Sequence, residues 1–263
     1  MNLLKIALFT VPYLIAHGLY ALPFGEKPNI ILVITDDQGY GPIGKHGNPW
    51  IKTPNLDKLY GQSTRFERFL VSPTCSPTRA ALMSGRHPMK NGITHTILER
   101  ERMALSTITL PQILKKAGYT SGIFGKWHLG AHKSLRPLNR GFDEFFGFLT
   151  GGHRYFPEEW ILEDETKGRS QGDAYRTKLL RNDQRVEENE YLTDALSREA
   201  IDFIDRNNDN PFFLYLAYNA PHGPLQATKK YLDRYDHIDD KRRKTYAAMV
   251  SSVDDGVGGI IDK

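Results

Sequence analysis

Beyond residue 28 the chain alternates short apolar runs with longer stretches in which apolar residues recur every three or four positions. Asn29-Ile30-Ile31-Leu32-Val33-Ile34 is a continuous, largely β-branched run, the pattern of a strand buried on both faces. Pro211-Phe212-Phe213-Leu214-Tyr215-Leu216-Ala217-Tyr218 predicts a second strand of this kind, and Gly122-Ile123-Phe124 a shorter one. Helices fit the intervals. Thr53-Pro54 opens one that carries Leu56 and Leu59, with proline in the tolerated first position. Leu110-Pro111 opens another, through Ile113 and Leu114, that stops at Gly118. Between Tyr191 and Asn207 a single stripe holds Leu192, Leu196, Ala200, Phe203 and Ile204; over 242–262 Tyr246, Val250, Val253, Val257 and Ile260 repeat it. Strands alternating with helices predict an α/β fold with a mainly parallel sheet flanked by helices.

The chemistry gathers where the strands end. Asp36-Asp37 follows the first, Lys126-Trp127-His128 the next, and Asn219-Ala220-Pro221-His222 the last. In open parallel sheets ligands sit outside the carboxyl ends of the strands, so these groups are expected to converge on one crevice. Singly, each cluster also has a plainer reading. An Asp-Asp pair serves as a solvated turn or a helix cap, Lys126 and His128 as surface residues, and His222 between prolines as part of a rigid loop. Adjacent carboxylates repel, however, and a hard divalent cation is the usual reason to place both at the end of an apolar strand. His46, His87, His95, His132, His153 and His237 carry no such signal. Asp254-Asp255-Gly256-Val257-Gly258-Gly259 looks superficially like a nucleotide loop, but the apolar stripe of the last helix runs through it.

Composition narrows the classes. The 263 residues allow one to two domains, at about 150 residues each. With 40% hydrophobic and 25% charged residues the chain is of ordinary globular composition. Thirty-five Lys and Arg against 31 Asp and Glu give a net charge of +4 without long basic runs, which argues against a nucleic-acid partner and suits a small anionic substrate. The single cysteine excludes an internal disulfide and any Cys-only zinc site. At the amino terminus, Lys5 precedes an apolar stretch from Ile6 to Ala16, broken by Pro12, with small residues at Ala16, Gly18 and Ala21. This predicts a signal peptide over residues 1–21 and a secreted or periplasmic protein. The stretch is too short and too broken for a stable membrane span, which needs about 20 apolar residues.

Cys75 lies in Ser72-Pro73-Thr74-Cys75-Ser76-Pro77-Thr78-Arg79-Ala80-Ala81-Leu82-Met83-Ser84-Gly85-Arg86, where Pro77 suits the first turn of a helix that Ala80 to Met83 continue. Residue 75 then stands at a helix amino terminus, where free N–H groups favour an anion. Arg79, one turn on, shares its face. The bland alternative is a thiol of lowered pKa with no further role. Cys75-Ser76-Pro77-Thr78-Arg79 resembles the Cys-x-Pro-x-Arg signature of the formylglycine-dependent, arylsulfatase-like sulfatases of the alkaline phosphatase superfamily, and Ala80 to Arg86 continues as in that family. Asn29 to Gly39, Thr53 to Leu59, Gly125-Lys126-Trp127-His128-Leu129-Gly130 and Ala220-Pro221-His222-Gly223-Pro224 resemble further blocks of the family in the expected order. The resemblance covers about residues 28–263.

The resemblance implies a sulfuric ester hydrolase acting on a sulfated carbohydrate or aryl compound. Cys75 is implied to be oxidised to formylglycine by a formylglycine-generating enzyme. One hydroxyl of the hydrated aldehyde, activated by bound calcium, attacks sulfur, and the second expels sulfate. Asp36, Asp37 and the modified residue 75 are implied as metal ligands. Arg79 is implied to hold the diol, Lys126 to stabilise charge on the sulfate oxygens, His128 to act as base in the elimination, and His222 to bind sulfate near the leaving oxygen. Thr150 is a further pocket candidate without an assigned role.

The family continues, beyond a helix equivalent to 242–262, to an Asp-Asn or Asp-His pair and a further lysine, with no counterpart after Ile261 here. Residues 22–263 are therefore expected to represent the amino-terminal part of the catalytic domain, without the carboxy-terminal portion of the fold. Three protein donors fall short of the about six to eight oxygens that calcium takes, and reduced activity is expected of the chain as it stands. Two alternatives stay open: a phosphonate or phosphate monoester hydrolase of the same superfamily, and a non-catalytic binder of sulfated glycans. Residues 153–190, with Tyr155, Phe156 and Trp160 among many charges, are expected to form loops over the pocket that set specificity.

Overall fold

The computed structural model describes residues 27–97, 100–163 and 170–263, so the expected signal peptide lies outside the described residues. No described helix is long and apolar enough to cross a membrane. In chain order the main elements are β1 (Ile30–Ile34), α1 (Pro54–Gly61), α2 (Cys75–Ser84), α3 (Leu110–Lys116), β2 (Thr120–Lys126) and β3 (Glu144–Phe148). They are followed by α4 (Gln171–Ala174), β4 (Leu179–Arg181), β5 (Gln184–Val186), α5 (Leu192–Asn207), β6 (Phe212–Ala217), α6 (Lys229–Leu232) and α7 (Lys241–Ile261).

The six strands form one mixed sheet in the order β1-β6-β2-β3-β4-β5. The first four pair in parallel, and β4 and β5 add an antiparallel rim. β6 sits centrally because every residue of Phe212–Ala217 is buried, and its alternate side chains feed two cores. Leu214 and Leu216 join Phe124, Phe203, Leu196 and Val250 under α5 and α7. Phe213, Tyr215 and Ala217 join Ile123, Trp127, Phe145 and Met83 on the opposite face. Two-sided burial is what an unbroken apolar strand requires.

The sequence pattern misplaces β1. Among the described residues it pairs only with β6, and Ile31 is 41% exposed, so there this run is a terminal strand of the sheet rather than one buried on both faces. An aliphatic run reads the same at the centre and at the rim; the neighbours decide. The predicted helices all form. α3 starts with a capping box between Thr109 and Gln112. α1 is capped from a distance: Asp254, buried in α7, accepts the amide of Leu56 at 2.8 Å and that of Asn55 at 3.2 Å. The acidic-glycine run of α7 is thus a structural clasp.

Parallel pairing brings the carboxyl ends of β1, β6, β2 and β3 to one edge, and the pairing persists past them. Tyr218 donates to Ile34 O, Asp36 to Ala220 O, Trp127 to Phe148 O and His128 to Leu149 O, at 3.0–3.2 Å. The crossing of β2 and β6 depends on Gly125, whose φ of +118° belongs to glycine and whose Cα faces the carbonyl of Ala217.

Candidate active site

α2 begins at Cys75, with Thr74 extended as its N-cap. The helix is anchored by side chains that bond outward. Ser76 Oγ donates to His128 O at 2.7 Å, and Arg79 Nη1 donates to Lys126 O at 2.9 Å. Both acceptors belong to the segment leaving β2, so α2 and the β2 exit are locked in register. The Cys75 thiol then stands 3.3 Å from His128 Nδ1.

Asp36, Lys126 and Arg79 form a buried trio. Lys126 Nζ is paired with Asp36 Oδ2, and Arg79 Nη2 lies 3.6 Å from the same oxygen. Burial alone would push the Asp36 carboxyl up, but Arg79 and Lys126 outweigh it and hold it below the usual range. Burial, followed by repulsion from Arg79, draws Lys126 down, with Asp36 opposing. Among the described residues, the buried Nε and Nη2 of Arg79 find no hydrogen-bond partner.

Asp37 is different. Its side chain is 67% exposed, its φ is +57°, and its Oδ2 lies 3.6 Å from His222 Nε2. His128 also has a positive φ, +55°. Neither residue is a glycine, and such backbone strain concentrates where geometry serves a site. A cavity of about 470 Å³ is lined by Asp36, Asp37, Thr74, Cys75 and Arg79.

The protonation of His128 follows from its surroundings. Its Nε2 lies 3.1 Å from Thr96 O, an acceptor only, which places the ring proton on Nε2 and leaves a lone pair on Nδ1 facing residue 75. Burial, then the charges of Lys126 and Arg79, hold the imidazole well below its ordinary pKa, so it is neutral. As pH falls through about 6.5, unfolded chains take up a proton here and folded ones do not. The unfolded state binds more protons in that window, so stability is full above it and declines as pH falls towards the folded-state pKa. Urea unfolding measured at about pH 7 and pH 5 should show a smaller pH-dependent loss in His128→Asn than in the parent.

All the residues expected from the sequence therefore occupy one region: Asp36, Asp37, Cys75 and Arg79 on the cavity, Lys126 behind it, and His128 and His222 beside it. The aromatic expectation fails. Tyr155 is fully buried and Trp160 is 5% exposed, both in the core under α5. The many charges around them disguised an apolar anchor. Tyr155 instead supports the site from below, donating to His222 O at 2.7 Å. Thr150 turns inward, Oγ1 donating to Gly152 O at 2.9 Å. The carbonyl of Thr96 was beyond sequence reasoning, because any residue type supplies one.

A family model described as Sulfatase matches residues 28–263. The chain belongs to the sulfatase family. N-acetylgalactosamine-6-sulfatase of Rattus norvegicus is 37% identical to this chain over 271 residues, covering 95% of this chain and 49% of that protein. Arylsulfatase J of Mus musculus is 35% identical over 240 residues, covering 89% and 39%. The crystal structure of Ps i-CgsB superposes with a TM-score of 0.83 at 43% identity, over 90% of this chain and 55% of that one. A second structure of Ps i-CgsB, with k-i-k-neocarrahexaose, gives 0.81 at 42%. The chain spans about half the length of the curated relatives it matches, or less.

Asp36 and Asp37 bring two carboxylates to the cavity that residue 75 lines. Among the described residues no three His, Cys, Asp or Glu side chains gather in a way that could hold a metal ion. Two carboxylates suit a hard ion in kind and would supply part of its shell.

Proposed function

We propose that this protein hydrolyses sulfate esters of a sulfated carbohydrate or aryl compound at residue 75, after a formylglycine-generating enzyme converts Cys75. The observation that carries the reading is the approach of Cys75 to the lone pair of His128, beside the Arg79–Lys126–Asp36 trio, at the start of α2. A hydrated aldehyde at this position would supply the oxygen nucleophile and an exit for sulfate that a plain alcohol lacks. Calcium held by Asp36, Asp37 and residue 75 would lend Lewis acidity at that oxygen.

The remaining tasks fall to the chain itself. Arg79 and Lys126 present fixed cations to an anionic group, with no reorganisation as charge develops. His128 accepts a proton at Nδ1 from residue 75, and the Thr96 carbonyl keeps that nitrogen unprotonated beforehand. His222 donates Nδ1–H to Gly223 O at 2.6 Å, which turns Nε2 towards Asp37 and the cavity, where it can serve the leaving oxygen. A sulfated glycan is the favoured substrate class, supported by the names of the N-acetylgalactosamine-6-sulfatase relative and of the neocarrahexaose complex. Residues 1–21 are read as a signal peptide directing the protein to the periplasm or the exterior, and 22–263 as the amino-terminal part of the catalytic domain.

Peptide mass spectrometry of residue 75 after co-expression with the maturation enzyme tests the nucleophile before any substrate is chosen. Conversion, with sulfate release from an aryl sulfate or a sulfated oligosaccharide that Cys75→Ala abolishes, is the expected outcome. Preferential turnover of the matched aryl phosphate would move the protein to the phosphate ester hydrolases. Binding that survives Cys75→Ala, with no turnover in the parent, would make it a glycan binder. In the active protein Lys126→Met should lower kcat by about 10²–10³-fold, read from initial rates at saturating substrate.

A further inference from the structure

Gly151 and Gly152 leave β3 by way of Leu149 and Thr150, and neither has a positive φ, so the backbone itself would accept alanine at both. What excludes a side chain is the company on either hand. A Cβ at Gly151 would stand 2.7 Å from Cε1 and 2.9 Å from Nε2 of His128. A Cβ at Gly152 would stand 2.8 and 2.9 Å from Cζ and Cε2 of Tyr175, and 3.0 Å from Cε1 of His222. All these distances are at or below the closest approach that real carbon contacts tolerate, and the atoms met belong to rings.

The rings in question cannot easily step aside. His128 is fixed at both nitrogens, by Thr96 O and by Cys75, and its carbonyl is held by Ser76. The backbone of His222 is held by the buried Tyr155, its Nδ1 is engaged with Gly223 O, and Tyr175 stands edge-on at 6.3 Å between ring centroids. Tyr175 is joined in turn to the strand-exit segment, since Arg154 donates its amide to Tyr175 O at 2.9 Å. One dipeptide thus touches both imidazoles of the site, each through a different bare Cα.

We propose that Gly151–Gly152 is a positioning element for the candidate active site: Gly151 sets His128 against residue 75, and Gly152 seats His222 and Tyr175 together. Its importance for turnover rests on the sulfate-ester reading above, but the seating does not, and it is tested on the unconverted protein. Because Cys75 is the only cysteine, its rate of alkylation by iodoacetamide at fixed pH reports one site. Removing the ring that stands 3.3 Å from the thiol should change this rate severalfold in His128→Ala, and Gly151→Ala should change it in the same direction. Gly151→Ala should add nothing in the His128→Ala background, since the ring it displaces is gone.

In a ¹H–¹³C spectrum Gly151→Ala should move the His128 Cε1–H signal and spare that of His222, and Gly152→Ala should do the converse. Urea unfolding covers the case of a variant too unstable to examine. Gly151→Ala should regain its lost stability in the His128→Ala background, and Gly152→Ala in the Tyr175→Ala background. Equal destabilisation in both backgrounds, unchanged alkylation in Gly151→Ala, or both glycine variants moving the same imidazole would overturn the proposal. Absence of sulfatase activity with these couplings intact would instead overturn the catalytic reading alone.

Discussion

Asp36→Asn is expected to lower the unfolding free energy by about 3–5 kcal/mol, against no more than about 0.5 kcal/mol for Asp37→Asn, in urea titrations at neutral pH. The two residues are adjacent and chemically identical, and differ only in surroundings. Asp36 is 4% exposed and is the anion shared by Lys126 and Arg79, which are themselves buried. Removing its charge leaves two cations facing each other away from water. Asp37 is exposed and in a left-handed conformation that asparagine adopts readily. The Asp36→Asn deficit should narrow as pH rises. Lys126, already drawn down by burial and by Arg79, then sheds its proton in the folded variant before the unfolded chain does. The unfolded state binds more protons across that interval, so stability climbs with pH. Turnover should be lost in both variants, since both carboxylates face the cavity proposed to hold the cation.

Gly125→Ala should cost about 4 kcal/mol or more and reach the soluble fraction poorly, as read by thermal unfolding and soluble yield. Two penalties coincide there. The φ of +118° is one that side chains rarely adopt, and a Cβ would lie 1.9 Å from the carbonyl oxygen of Ala217, the partner of Gly125 across β2 and β6. A backbone atom in a central strand cannot yield as a side chain can. Gly85→Ala separates the two penalties: φ is +63° at the end of α2, with nothing within 4 Å of its Cβ. It should cost only about 1–2 kcal/mol, the backbone penalty alone.

Much of this architecture was legible because the periods were clean. The stripes of α5 and α7, the Pro-opened α1 and α3 and the apolar runs of β1 and β6 each mark the type of element, though not the place of β1 in the sheet. β3 was missed although Glu144-Phe145-Phe146-Gly147-Phe148 is apolar, because Gly147 interrupts it; there the glycine admits close contact with Gly125. β4 and β5 have three residues each about a turn at Asn182 and exist through pairing, β4 with β3 and β5 with β4. At the site, short motifs named the side chains that meet, yet not the backbone carbonyl that orients His128 or the buried phenol beneath His222. Those depend on tertiary placement, and no residue type announces them.

β1 has one more consequence. It ends the sheet with five aliphatic residues, and its outer row of amides and carbonyls is left unpaired among the described residues. Such a rim is a template for any other strand, including the same strand from another molecule. On warming or concentration, association along this rim is the expected outcome, and light scattering followed against temperature checks it.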